Sequence, residues 1–111
     1  MDKSMIEAIC QKVSDSYKRV FGKNLEAVYL YGSYARGDFD EESDIDFAAI
    51  VKGERIMLQD KMKTVLKDTN NIDLEYDVVT SPMLIPLSEF NKYKDYSKYY
   101  KNILKEGKLL G

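Results

Sequence analysis

Apolar residues recur in two patterns along the first half of the chain, one with helical spacing and one typical of strands. Near the N-terminus, apolar residues three or four positions apart predict a helix over Met5–Phe21. Ser4 and Glu7 match the Ser-x-x-Glu capping box expected at the start of that helix. Two runs of strand formers follow, Leu25–Tyr31 and Ile45–Val51. This half therefore predicts one helix followed by two strands.

The second half of the chain gives a helix, a strand and a further helical region. In the strand, Asp73, Glu75 and Asp77 alternate with apolar residues, so we expect the three carboxylates to share one face. Pro82 and Pro86 should end this strand, since proline cannot continue a hydrogen-bonded ladder. The predicted elements are a helix over Glu54–Asp68, a turn at Asn70-Asn71, a strand over Ile72–Thr80 and a last helical region that starts at Ser88 or Asn91 and ends at Gly107.

Composition narrows the class of protein and of chemistry. The 111 residues, 44% of them hydrophobic and 32% charged, fit a single globular domain over residues 1–111. The chain has no histidine and one cysteine, Cys10, which excludes a Ser-His-Asp triad, a Cys/His zinc site and an internal disulfide. Without an internal disulfide, a reducing cytoplasm is the expected location. No apolar run approaches 18 residues, so we expect no membrane span.

Net charge and the placement of aromatic residues bear on whether the protein binds nucleic acid or another protein. The net charge of −2 argues against general nucleic-acid binding. The C-terminal region nevertheless combines a stripe of tyrosines with several lysines. Such a stripe is more often core packing beside a solvated lysine face, although a surface for a partner protein or RNA remains the alternative interpretation.

The most informative stretch lies between the two predicted strands. Gly32-Ser33 ends the first strand, and after ten residues Asp44-Ile45-Asp46 leads into the second. Glycine lets the backbone turn sharply and lets a phosphate approach closely, and Ser33 begins a short helical turn whose amides favour an anion. Asp44 and Asp46 lie two positions apart, so on a strand they point the same way, about 7 Å apart. The pattern suits Mg²⁺ and a nucleoside triphosphate.

Two simpler interpretations compete for this stretch. The acidic segment could be only a solvated loop, but it leads directly into an apolar strand. It also partly matches a calcium loop, with Asp38, Asp40 and Glu42 at positions 1, 3 and 5. Ser43 replaces the required glycine at position 6 and Ala49 the bidentate glutamate at position 12, which disfavours calcium.

The sequences of Gly32–Asp38 (Gly-Ser-Tyr-Ala-Arg-Gly-Asp) and Ser43–Asp46 (Ser-Asp-Ile-Asp) resemble the motif of the minimal nucleotidyltransferases of the DNA polymerase beta-like superfamily. The resemblance implies an α/β (α+β) fold in which a small mixed sheet of three to four strands packs with helices. It also implies transfer of a nucleotide from a triphosphate, with two Mg²⁺ ions as cofactors and ATP as substrate.

The resemblance further implies roles for particular residues. Asp44 and Asp46 would bind both metal ions, and a third carboxylate would come from the neighbouring strand. Asp77-Val78-Val79 matches the family's Asp followed by two apolar residues, so Asp77 is the predicted third ligand. A register two residues earlier would instead select Glu75.

The same resemblance assigns the phosphates to the Gly-Ser turn. Gly32 and Ser33 would hold the β- and γ-phosphates of ATP, and Arg36 lies one turn further along the chain. Arg36 could reach the triphosphate or form a surface ion pair with the acidic residues downstream; the sequence favours neither.

A lone domain of this size resembles the antitoxin of HEPN–MNT toxin–antitoxin pairs. That family transfers AMP from ATP to a tyrosine of its HEPN ribonuclease partner, so the resemblance implies a hetero-oligomer with a HEPN-type toxin and no membrane partner. Two alternatives stay open: a non-catalytic subunit that neutralises its partner by contact, and a nucleotidyltransferase acting on a small molecule.

Overall fold

A mixed four-stranded sheet lies at the centre of the computed structural model, which describes residues 2–111. Strands β1 and β2 have the predicted bounds, and β2 runs parallel to β3 while the other neighbours are antiparallel. The α/β fold with a small mixed sheet is therefore confirmed. The strands are β1 (Leu25–Tyr31), β2 (Ile45–Val51), β3 (Thr80–Pro86) and β4 (Lys108–Leu109), in the spatial order β3-β2-β1-β4.

Helices cover both faces of this sheet. The helices are α1 (Lys3–Phe21), α2 (Ser33–Arg36), α3 (Arg55–Tyr76), α4 (Leu87–Tyr93) and α5 (Lys98–Glu106), with a short 3₁₀ turn at Gly22–Asn24. Helices α1 and α3 pack on one face, where Phe47 and Val51 of β2 are fully buried. Helices α4 and α5 cover part of the other face, where Phe90 and Ile103 pack against Ala48. Burial on both faces explains why β2 reads as a continuous apolar run rather than an alternating one.

Helix α1 begins two residues before the predicted start. Its N-cap is Asp2, whose carboxylate accepts a hydrogen bond from the Met5 backbone N–H at 2.8 Å. The Ser4 hydroxyl also donates to Asp2 at 2.9 Å. The capping box predicted at Ser4 and Glu7 is therefore wrong, because an equally good cap residue stands earlier in the chain.

Helix α3 extends through the region predicted as a turn and a strand. Its buried residues recur every three or four positions, and Ile72 belongs to that helical stripe. Leu74, which a strand would have buried beside Ile72, is 84% exposed. Both the predicted turn at Asn70-Asn71 and the predicted strand over Ile72–Thr80 are wrong, because Ile72 continues the three- and four-residue spacing of the buried helical positions before it.

The third strand instead contains both of the prolines predicted to end it. Strand β3 is an edge strand, paired only with β2, so Pro82 can lie in it with its nitrogen away from the ladder. Asp73 supports the start of this strand, because its carboxylate accepts a hydrogen bond from the Thr80 backbone N–H at 2.9 Å.

The last helical region is broken into two helices. Helix α4 ends at Tyr93, and α5 begins after Ser97, whose hydroxyl accepts a hydrogen bond from the Tyr100 N–H. The predicted caps at Ser88 and Asn91 are wrong. The short strand β4 that follows Gly107 carries no apolar pattern of its own, and the sequence did not predict it. Among the helices of residues 2–111, none has the length and apolar character needed to cross a bilayer.

Candidate active site

The candidate site is built around Gly32, at the point where β1 turns into α2. Gly32 has φ 73° and ψ −155°, a backbone conformation that residues with a side chain rarely adopt. A Cβ atom at this position would lie 2.3 Å from Oδ2 of Asp46. Asp46 is the β2 residue directly opposite Tyr31, the last residue of β1. The carboxylate therefore packs against bare backbone, which only glycine provides.

Asp44 and Asp46 form an electrostatically coupled pair at the beginning of β2. Burial is the larger cause that raises the pKa of Asp46 above its ordinary value, and the negative charge of Asp44 raises it further. The charge of Arg36 acts in the opposite direction. Asp44 itself is exposed and lies just before the first residue of the strand. Two carboxylates that repel each other in this way favour a bound cation.

Arg36 lies at the end of α2 between two other carboxylates. Its guanidinium donates hydrogen bonds to Asp38 and to Glu106 of α5, each at 3.3 Å. These bonds, the one to Asp38 first, raise the pKa of Arg36. The ion pair with a downstream acid, one of the two sequence-based alternatives, is therefore present. Contact of Arg36 with a triphosphate stays a prediction.

Asp77 does not lie on a strand, although the sequence predicted one there. It is the C-cap of α3, exposed, with a left-handed backbone at φ 54° and ψ 53°. It lines a cavity of about 540 Å³ together with Asp44 and the acidic loop. The argument that placed it on a neighbouring strand is wrong, while its role as a metal ligand stays a prediction. Glu75, the alternative, is paired with Lys12 of α1 at 3.1 Å.

The residue of β3 that lies beside Asp46 is Ser81. The parallel register pairs Asp46 with Ser81 and Ala48 with Met83, so these side chains share one face of the sheet. Strand β3 contains no acidic residue. The sequence did not predict that Ser81 lies beside Asp46. This placement depends on the bounds and register of β3, which no pattern of neighbouring residues indicates.

Two tyrosines flank Asp46 on its other side. The hydroxyl groups of Tyr31 and Tyr99 lie 2.7 Å apart, and their rings meet edge to face at 5.8 Å. Burial, then the hydrogen bond with Tyr99, raises the pKa of Tyr31, and the charge of Asp46 contributes as well. Sequence analysis had noted Tyr99 only as part of an aromatic stripe. Its distance of 68 positions from Tyr31 left no local signal for the pairing.

The donor set fits a magnesium ion held jointly by protein and nucleotide. Across residues 2–111, no cluster of three or more acidic, cysteine or histidine side chains is close enough to hold a metal ion by itself. Magnesium is usually held by one or two carboxylates, with substrate phosphates and water supplying the other oxygens. Asp44 and Asp46 provide those two carboxylates next to the phosphate-binding turn proposed from the sequence.

Residues 11–111 match the family model described as polymerase beta, nucleotidyltransferase. Because the match covers most of the chain, the protein belongs to this family of nucleotidyltransferase domains. The class of enzyme predicted from the Gly-Ser and Asp-x-Asp motifs is thereby confirmed.

Two archaeal relatives carry a more specific name. One protein of Methanocaldococcus jannaschii is 38% identical over 76 residues, which is 68% of this chain and 75% of the relative. A second protein of that organism is 30% identical and aligns over 94% of this chain and 96% of its own length. Both carry the name putative protein adenylyltransferase.

Solved structures show the same fold. A putative nucleotidyltransferase from Sulfolobus solfataricus has a TM-score of 0.53 at 26% identity, with 98% of this chain and 87% of that one covered. The MntA–HpeT toxin–antitoxin structure also has a TM-score of 0.53, at 18% identity, with 100% of this chain and 73% of that one covered. At that identity the second likeness concerns the fold alone.

Proposed function

We propose that this protein transfers the adenylyl group of ATP to a tyrosine hydroxyl of a partner protein, a HEPN-type ribonuclease toxin, and so acts as its antitoxin. The observation that carries the proposal is the contact of the Asp46 carboxylate with the bare backbone of Gly32. It puts a metal-binding carboxylate directly beside the turn to which we assign the triphosphate. The name shared by the two archaeal relatives supports a protein as the acceptor.

Each residue of the site has a role in this proposal. Asp44 and Asp46 hold Mg²⁺, which supplies charge neutralisation for the triphosphate and for the pyrophosphate that leaves. Gly32 and Ser33 hold the β- and γ-phosphates by close backbone approach. Arg36 is near enough to Asp46 to lower its pKa, and it contacts the triphosphate when its bonds with Asp38 and Glu106 open.

The acceptor enters from the side of Ser81 and Asp77. The strand register places Ser81, a residue without a carboxylate, beside Asp46. Asp77 lines the adjoining acidic cavity with Asp44, and in this proposal it orients the attacking hydroxyl or accepts its proton. The Mg²⁺ dependence, the HEPN identity of the partner and the tyrosine acceptor are all parts of this proposal.

The test is a transfer assay with α-labelled ATP, MgCl₂ and a HEPN-type ribonuclease as the candidate partner. We expect label on the partner with the wild type and none with Asp44→Asn/Asp46→Asn. Glu41→Gln/Glu42→Gln is the matched control, because it removes the same number of negative charges from the exposed loop that precedes Asp44. Equal loss in both variants would show that only the charge of the loop matters and would contradict the site.

A contact-only mode of neutralisation is the second candidate. Tyr96 is 84% exposed, and with Tyr93 and Met83 it lines a groove of about 460 Å³ between β3 and α5. Exposed aromatic residues of this kind are typical of protein interfaces. Toxin neutralisation in cells separates the two modes: the Asp44→Asn/Asp46→Asn variant fails if transfer is needed and succeeds if contact suffices.

A further inference from the structure

The Tyr31–Tyr99 hydroxyl pair lies beside the proposed transfer site. Tyr31 is the strand partner of Asp46, and directly opposite residues of an antiparallel pair have side chains on the same face. The Tyr99 hydroxyl is 2.7 Å from that of Tyr31. A phenolic hydroxyl from α5 is thus held against the side chain of the strand partner of Asp46.

The two tyrosines differ in how freely they could react. Tyr31 is half-buried on a strand that pairs on both sides, with β2 and with β4. Tyr99 is 41% exposed and is the second residue of α5, directly after the connection from α4. Tyr100 packs against Phe90 at 5.4 Å between ring centroids and anchors this end of the helix. Tyr99 therefore combines a fixed position with partial exposure of the residue to solvent.

We propose that Tyr99 is an acceptor in this protein's own transfer reaction, so that the chain adenylylates itself when no partner is present. The inference rests on the proposed function, since it requires ATP at the site of Asp44 and Asp46. A bond forms between Tyr99 Oη and the α-phosphorus of ATP, the bond from that phosphorus to the pyrophosphate oxygen breaks, and pyrophosphate leaves. The phenolic proton is released to water.

Tyr99 has the same reactive group, a tyrosine hydroxyl, as the acceptor in the proposed reaction. An enzyme that modifies a protein hydroxyl has no intrinsic means to reject a hydroxyl of its own chain held at the same point. Intramolecular placement raises the effective concentration of an acceptor far above that of a free partner. The adduct would also place a bulky group where the Tyr99 hydroxyl now meets that of Tyr31.

The test uses the full chain with ATP and MgCl₂ and without any partner. Intact mass spectrometry should show the gain of one adenylyl group, and peptide mapping should place it on Tyr99. Tyr99→Phe should abolish the gain, whereas Tyr96→Phe, which removes a more exposed hydroxyl three residues earlier, should not. The rate per molecule should stay constant over about a tenfold range of protein concentration, because the reaction is intramolecular.

Binding of ATP, measured by equilibrium dialysis, provides a second readout. Tyr99→Phe should bind ATP as the wild type does, so that the lost mass gain reflects a lost acceptor. A parallel loss of ATP binding would make Tyr99 part of the nucleotide pocket and overturn the assignment. Label on Tyr96 or Tyr31 in place of Tyr99 would overturn it too.

The partner assay separates failure of this inference from failure of the proposed function. If the partner is labelled while the chain alone gains no mass, self-modification is refuted and the proposed function stands. If neither protein is labelled and ATP does not bind, both are refuted together.

Discussion

Replacement of Gly32 by alanine should disable the site and also lower the stability of the fold. The backbone at φ 73° and ψ −155° costs about 1–3 kcal/mol for a residue with a side chain. The new Cβ would also lie 2.3 Å from Asp46 Oδ2, so the carboxylate must move by roughly 1 Å to reach normal contact. A displacement of about 1 Å at reacting groups can lower the rate about a hundredfold.

Gly37→Ala is the matched control for this prediction. Gly37 ends the same short helix with a positive φ of 89°, yet a Cβ there would meet no atom within 4 Å. Alanine in this left-handed conformation should cost about 1–2 kcal/mol of stability and leave the site intact. Label transferred to the partner and thermal unfolding are measured for both variants. If Gly32→Ala transfers label as fast as Gly37→Ala, the Asp46 carboxylate does not need its observed position and our account of the site is refuted.

Two other substitutions test the carboxylates separately. Because the folded pKa of Asp46 is raised, its contribution to stability is lost as the pH rises above the unfolded value of about 3.8. Asp46→Asn should therefore unfold at a higher temperature than the wild type at pH 7 in EDTA, with the difference shrinking toward pH 3; a less stable variant at pH 7 would contradict the raised pKa. Asp77→Asn should lower the steady-state transfer rate more than Glu75→Gln does, since Glu75 is paired with Lys12 outside the acidic cavity. If Glu75→Gln lowered the transfer rate more than Asp77→Asn, Glu75 and not Asp77 would be the carboxylate that acts on the acceptor hydroxyl.

The parts of the fold predicted from sequence are those fixed by nearby residues. Strands β1 and β2 have the predicted bounds, because each is a run of strand formers adjoining the Gly-Ser turn or the Asp-x-Asp pair. The nucleotide side of the candidate site could be predicted for the same reason. Gly32 and Asp46 are separated by one loop in a β-hairpin-like pair of strands, so their contact follows once the two strands are recognised.

The error in α3 and β3 has a physical cause. The alternation from Ile72 to Asp77 fits a strand as well as the exposed end of a helix, and only packing against α1 decides between them. The prolines of β3 also favour the wrong prediction that no strand continues there. Proline argues against an interior strand, but β3 is an edge strand, where proline is tolerated. Which strand lies at the edge depends on the order of the whole sheet, and that order involves residues far apart in sequence.

The nucleotide and acceptor sides of the candidate site differ in how far apart in sequence their residues are. The nucleotide side is assembled from two adjoining strands and one glycine, and neither α4 nor α5 supplies any of its predicted residues. The acceptor side that we propose involves Ser81 of β3 and Asp77 at the C-cap of α3, while the proposed internal acceptor Tyr99 comes from the start of α5, on the β1 side of Asp46. Each of these residues takes its position only when the chain has folded completely. Nucleotide binding should therefore depend on the motif residues alone, whereas the choice of acceptor should depend on the packing of α3 and α5 around them.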